Sequence, residues 1–175
     1  TVDTGTTNTR VILWDGERNR IGTKSMAVGV RNTAIDGHNG KLKEAVKSCL
    51  EGLLKENGLD YGQIERIIAS GMITSNVGLT EVPHLAAPVT IQDLSDGITQ
   101  VLLEDVCPIP IWFIPGVKNS AGPVNFENFE AMDIMRGEEV ESAAIIEGYP
   151  KGKAYLLVLP GSHTKFVSVS EDGHI

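Results

Sequence analysis

Ten residues with little side-chain bulk and much polarity, Thr1-Val2-Asp3-Thr4-Gly5-Thr6-Thr7-Asn8-Thr9-Arg10, run directly into the apolar stretch Val11-Ile12-Leu13-Trp14. Asp15-Gly16 and Asn19 then signal a turn, and Ile21 to Val30 is a second β-prone run. The pattern reads as strand, tight polar turn, strand, turn, strand. The turn at Thr4 to Asn8 limits what can be built around it. Gly5 lets the backbone approach a ligand closely. Thr6, Thr7 and Asn8 add hydroxyl and amide donors to the free N–H groups of the turn, a concavity that suits phosphate oxygens. Asp3 stands at its mouth. A carboxylate beside a phosphate cradle repels the phosphate unless a cation lies between them, so Asp3 implies Mg²⁺. A polar hairpin that holds no ligand is the alternative for this stretch alone.

The 175 residues suit one domain, or one domain and part of another. The formal net charge of −8 argues against a nucleic-acid or membrane-surface partner. It does not exclude ATP, which is held by local donors and a metal. Cys49 and Cys107 are far apart in sequence, which indicates neither a disulfide framework nor a zinc site and favours a reducing cytoplasm. There is no signal-peptide pattern and no apolar run of about 18 residues. The chain opens inside a strand without an initiator Met and closes on Gly173-His174-Ile175, so it is expected to be part of a longer protein.

After Val30, residues 31–40 are turn-rich. Leu42, Ala45, Val46, Cys49, Leu50, Leu53 and Leu54 recur at helical spacing before Asn57-Gly58, which predicts an amphipathic helix over about 41–56. A short buried strand at about 65–69 leads into Ser70-Gly71-Met72-Ile73-Thr74-Ser75-Asn76-Val77-Gly78. Loops at the carboxyl ends of strands in α/β sheets are where ligands bind. We read this one as a substrate loop continuing through Glu81, Pro83 and His84 to Pro88; a buried connection that merely packs is the alternative. Thr90 and Asp93 form a capping-box pattern before a second helix, expected over about 91–104 with Leu94, Ile98, Val101 and Leu102 buried. A strand is expected at about 111–114 and a loop at about 117–129. Arg136-Gly137-Glu138-Glu139 opens a third helix, expected over about 137–147 with Val140, Ala143, Ala144 and Ile146 inward. Carboxylates at a helix start are often only dipole partners. Arg136 beside them adds a cation suited to a carboxylate or phosphate. From Ala154 the opening pattern restarts: strand, the polar turn Pro160-Gly161-Ser162-His163-Thr164-Lys165, and a returning strand. Two such hairpins suggest two related domains that share one nucleotide.

The echoed hairpins, with a βββαβαβα order between them, resemble the actin, heat-shock ATPase and sugar-kinase superfamily. More closely, DTGTTNTR, GMITSNVGLTEVPHLAAP, FIPGVKN, DIMRGEEV and LPGSHTKF, in this order, resemble the 2-dehydro-3-deoxygalactonokinase family. The resemblance implies an α/β chain with an RNase H-like (actin-like ATPase) domain over 1–148. Residues 149–175 would then begin a second, truncated domain with its phosphate hairpin. It implies ATP-dependent phosphorylation of the 6-hydroxyl of 2-dehydro-3-deoxy-D-galactonate in galactose or galactonate breakdown, with ATP and Mg²⁺ required. The partners implied are the sugar acid and ATP; assembly as a homo-oligomer stays open. The family chain is longer, so these residues alone are expected to be inactive.

On this reading Asp3 holds Mg²⁺. Gly5, Thr6, Thr7 and Asn8 meet the phosphates from one side, and Gly161, Ser162, His163, Thr164 and Lys165 from the other. Arg10, Ser75, Asn76 and Arg136 are the substrate-binding candidates. Glu138 is the expected base, with Glu139 and Asp3 as its rivals. Two other classes stay open. One is an exopolyphosphatase-like phosphohydrolase, whose carboxylate would activate water. The other is a non-catalytic nucleotide-sensing module.

Overall fold

The computed structural model describes residues 1–119, 122–161 and 163–175. Contacts divide the chain into two compact units, Thr1–Val82 with Thr99–Ile114, and Pro83–Ile98 with Pro115–Ile175. Among the described residues there are four α-helices, and the class is α/β.

The first unit is built on a six-stranded mixed sheet. Its opening meander is β1 (Val2–Thr4), β2 (Thr9–Trp14) and β3 (Arg20–Met26), all antiparallel. Helix α1 (Val30–Asp36) and helix α2 (Gly40–Asn57) follow, then β4 (Ile67–Gly71), which pairs parallel with β1. In the second unit come β5 (Leu85–Ala86) and α3 (Ile91–Asp96). Back in the first, β6 (Thr99–Val101) and β7 (Ile111–Phe113) complete the sheet, in the order β3-β2-β1-β4-β7-β6. The strands alternate as a half-buried sheet requires. Val2 and Thr4 point inward and Asp3 outward; Ile67, Ala69 and Gly71 are buried along β4. Helix α2 buries Leu42, Ala45, Val46, Cys49, Leu50, Leu53 and Leu54, the stripe predicted from its spacing, and ends on Gly58 in the left-handed region. Of these, Leu42, Val46, Cys49, Leu50 and Leu53 join Val2, Val11, Ile67, Ile111 and Phe113 in one core. Fully burying each large one contributes roughly 1.5–3 kcal/mol before chain entropy is counted.

Helix α1 lies in the segment expected to be turns. Its N-cap Gly29 donates its N–H to Asn32 Oδ1 at 3.1 Å. The next two N–H groups, of Val30 and Arg31, donate to the carbonyls of Gly5 and Thr6 at 3.2 and 3.0 Å. Helix-start N–H groups lack partners within the helix, and here the polar turn supplies them.

The second unit holds a three-stranded sheet in the order β5-β8-β9, where β8 is Val117–Lys118 and β9 is Ile134–Met135. Helix α4 (Glu138–Gly148) and the hairpin β10 (Tyr155–Leu159) and β11 (Lys165–Val169) follow. Its core gathers Val89, Leu94, Val117, Val167 and Ile175, with Leu157, Leu159, Ala143 and Ile146 packed against them.

Two sequence expectations need correction here. The helix expected over 91–104 ends at Asp96. The Thr90–Asp93 capping box forms as expected. Beyond Gly97, however, Thr99–Val101 is an edge strand antiparallel to β7, and Leu102 is exposed. The β-branched residues Thr99 and Val101 gain a ladder there that a longer helix would forgo. The buried side of α4 is also turned from the expected one. Glu139 and Ser142 are fully buried, while Val140 is half-buried and Ala144 is exposed.

Candidate functional site

In the first unit the polar turn closes on a Gly5 N–H to Asn8 carbonyl bond of 2.9 Å. Beneath it the buried Thr4 and Thr9 hydroxyls lie 3.1 Å apart, and Thr9 Oγ1 donates to the Val28 carbonyl at 2.8 Å. This pins the hairpin while Thr6, Thr7 and Asn8 stay exposed. Asn8 Nδ2 donates to Thr7 Oγ1 at 3.0 Å. A Cβ placed on Gly5 would meet only the Asn8 carbonyl oxygen, at 4.0 Å, so the approach to this backbone is open.

Asp3 and Arg10 face each other in register across β1 and β2, on the outward side of the sheet. The Asp3 carboxylate keeps access to solvent. The strand ends around it nevertheless displace enough water to raise its pKa above the ordinary value, while the Arg10 charge pulls the other way. On its other flank Asp3 pairs with Ser70, next to Gly71. Gly71 has φ +87°, and a Cβ there would lie 3.0 Å from Asp3 Oδ1 and 2.8 Å from the Thr4 carbonyl oxygen. Only glycine combines this backbone with so close an approach. The chain then leaves the carboxyl end of β4 through a 3-10 turn, Met72–Thr74. Ser75 is buried and its Oγ donates to the Met72 carbonyl at 2.7 Å, so that hydroxyl serves its own turn. Asn76 is exposed beside it.

In the second unit Arg136, Glu138 and Glu139 come together where β9 ends and α4 starts. The Arg136 N–H donates to Glu138 Oε2 at 3.0 Å, and Arg136 Nη2 lies 3.3 Å from His84 Nδ1. Glu139 is fully buried, with both carboxyl oxygens on the Gly137 N–H at 2.8 and 2.9 Å. Burial pushes its pKa up to about 7; the Gly137 bond opposes the rise, the Glu138 charge adds to it, and Arg136 opposes it. At the other hairpin, Gly161, His163 and Thr164 are exposed, and Ser162 lies outside the described residues. Lys165, expected to meet phosphate, forms an ion pair with Asp133, whose pKa it lowers. In the sequence His84 stands only as part of a loop, and Gly116 only as part of the strand stop Pro115-Gly116. What joins them to Arg136 is a sheet of two-residue strands, too short to leave a periodic signal.

The raised pKa of Glu139 has a consequence for stability. Its folded value is about 7 against a reference of 4.5. The folded state therefore binds this proton more tightly than the unfolded chain. The associated stability is complete below about pH 4.5 and is lost as pH rises through 7, by up to ~3 kcal/mol. Urea unfolding of wild type and Glu139→Gln from pH 4.5 to 8 should show this loss in the wild type only. Parallel profiles would contradict it.

Within the described residues, no group of three or more His, Cys, Asp or Glu side chains is arranged to hold a metal, and no helix is long and apolar enough to cross a membrane. The class these features define is an α/β protein with a polar strand-turn-strand hairpin at the centre of a mixed sheet. A model of the 2-keto-3-deoxy-galactonokinase family matches residues 3–175, and the chain belongs to that family. It is 28% identical over 167 residues to the 2-dehydro-3-deoxygalactonokinase of Escherichia coli (strain K12), covering 95% of this chain and 47% of that protein. A crystal structure from Sinorhizobium meliloti, provisionally described as a 2-dehydro-3-deoxygalactonokinase, superposes with a TM-score of 0.73 at 21% identity. That match covers 99% of this chain and 50% of the other, and at this identity it speaks for the fold alone. The chain spans about half the length of these relatives.

Proposed function

We propose that the full protein is a cytoplasmic, ATP-dependent kinase that phosphorylates the 6-hydroxyl of 2-dehydro-3-deoxy-D-galactonate in galactonate breakdown. The observation that carries this reading is Asp3, held outward on the central strand between Arg10 and a glycine that admits it, beside an open polar turn. Membership of the kinase family gives that geometry its substrate class. We further read the first unit as RNase H-like, of the actin-like ATPase kind. Three antiparallel strands continued by two parallel ones, in the order β3-β2-β1-β4-β7, support this. Residues 149–175 are read as the opening hairpin of a second such domain.

Phosphoryl transfer needs charge neutralisation, positioning and a base. The sugar 6-hydroxyl loses its proton to the base, its oxygen bonds to the γ-phosphorus, and the bond from that phosphorus to ADP breaks. Glu138 is the proposed base, and its half-buried carboxylate stands one residue from the buried Glu139. Asp3 fits Mg²⁺ as a single carboxylate ligand, because Mg²⁺ keeps several waters and shares substrate phosphates rather than needing a protein cage. When bound, the ion would neutralise phosphate charge. Gly5, Thr6, Thr7 and Asn8 offer donors to one side of the phosphates; Gly161, Ser162, His163 and Thr164 are assigned the same task from the second hairpin. Arg136 would hold the substrate carboxylate, and Asn76 its hydroxyls. Lys165 is assigned a structural role through Asp133, and Arg10 a charge-balancing one opposite Asp3.

ATP consumption by the full-length protein should rise steeply on adding the sugar acid and stay near background without it. Equal ATP hydrolysis in both conditions would point to a phosphohydrolase. Nucleotide binding with no turnover in either would point to a sensor.

A further inference from the structure

The three-stranded sheet of the second unit brings three chain segments together at one end. His84 precedes β5, Gly116 precedes β8 and Arg136 follows β9, and the strand pairings Leu85↔Val117 and Val117↔Met135 set them side by side. The Leu85 N–H donates to the Gly116 carbonyl at 2.9 Å and fixes the first two. Gly116 is a spacer in the literal sense. A Cβ there would lie 2.5 Å from the Met135 carbonyl oxygen, 2.7 Å from Arg136 Cγ and 2.9 Å from His84 Cδ2. The absent side chain is what lets the imidazole and the guanidinium stem pack over that backbone.

The contact of 3.3 Å between Arg136 Nη2 and His84 Nδ1 has one chemically consistent assignment. A guanidinium has donors only and stays protonated. Nδ1 is therefore the acceptor, and the ring proton sits on Nε2. One edge of the Arg136 guanidinium is held by His84, and the residue's main-chain N–H is held by Glu138 Oε2. A long cationic side chain loses much rotamer freedom when it grips a ligand. A guanidinium already held in place avoids part of that cost, so it binds a planar anion more tightly.

We propose that His84 is a positioning residue. By accepting from Arg136 it orients the guanidinium toward the carboxylate of the sugar acid, and so sets the preference for an acid over a neutral sugar. This rests on the role given to Arg136 under the proposed function. His84 is not assigned any part in the chemical step, so its loss should move KM for the acid and leave kcat and the KM for ATP nearly unchanged.

The test uses the full-length protein, with 2-dehydro-3-deoxygalactonate as the varied substrate. His84→Ala should raise its KM roughly ten-fold, the size expected for losing one charge-assisted hydrogen bond. His84→Asn, whose Oδ1 sits near the place of Nδ1, should restore most of the loss. His84→Gln, which offers its acceptor near the place of Nε2, should not. In an Arg136→Ala background His84→Ala should add nothing further. Thermal unfolding of each variant accompanies the kinetics, and the Asn and Gln variants decide the matter if His84→Ala does not fold. Equal behaviour of Asn and Gln would overturn the proposal, as would an undiminished His84→Ala effect in the Arg136→Ala background. A wild-type protein with no turnover of the sugar acid would remove the underlying kinase reading and this inference with it. Normal wild-type turnover with an unchanged KM in His84→Ala would remove this inference alone.

Discussion

Asp3→Asn in the full-length protein should lower turnover by ~10²–10³-fold, the usual effect of removing one preorganised electrostatic contact to a transition state. The substitution keeps the volume and removes the charge. The strand should survive it, since β1 is held by the buried Val2 and Thr4 and by its ladders to β2 and β4. What changes is the charge balance at the strand centre, where Arg10 would be left facing a neutral amide. The effect should be largest at limiting Mg²⁺. Turnover like wild type under that condition would remove Asp3 from the phosphate site, and unchanged unfolding behaviour would show that the loss is chemical.

Glu138→Gln should lower kcat by ~10²–10⁴-fold with little effect on KM, the expected size for general-base catalysis. The two glutamates are already separated by their surroundings. Glu139 is buried with both oxygens committed to the Gly137 N–H, whereas Glu138 uses one oxygen on the Arg136 N–H and is only half-buried. The introduced amide would keep an oxygen for that bond, so the local backbone should hold. If KM alone moved, Glu138 would be a binding residue, and the base would have to be sought at Glu139 or Asp3.

Elements written in local periodicity were legible in the sequence. Helix α2 shows its buried stripe from Leu42 to Leu54, and both polar hairpins stand out as small residues between β-prone runs. Elements created by tertiary contact were not. Helix α1 looks like turns because Gly29, Asn32, Asp36 and Gly37 crowd a short segment. Its start is fixed by the carbonyls of Gly5 and Thr6, which lie far away in sequence. Residues Thr99–Val101 carry helix-compatible spacing, yet pairing with β7 decides their state. Strands β5, β8 and β9 are two residues each and too short for any alternation to register. The same distinction runs through the site. Asp3 and the Gly5–Asn8 turn stand out because they sit within one continuous motif. The burial of Glu139, the Lys165–Asp133 ion pair and the His84–Arg136 contact depend on how separate segments meet.

The most direct test of the kinase reading is the identity of the phosphorylated product. Full-length protein incubated with ATP, Mg²⁺ and 2-dehydro-3-deoxy-D-galactonate should convert the acid to a monoester, and ³¹P NMR should show that phosphorus coupled to the protons on carbon 6. Release of inorganic phosphate alone, or a monoester on any other carbon, would contradict it.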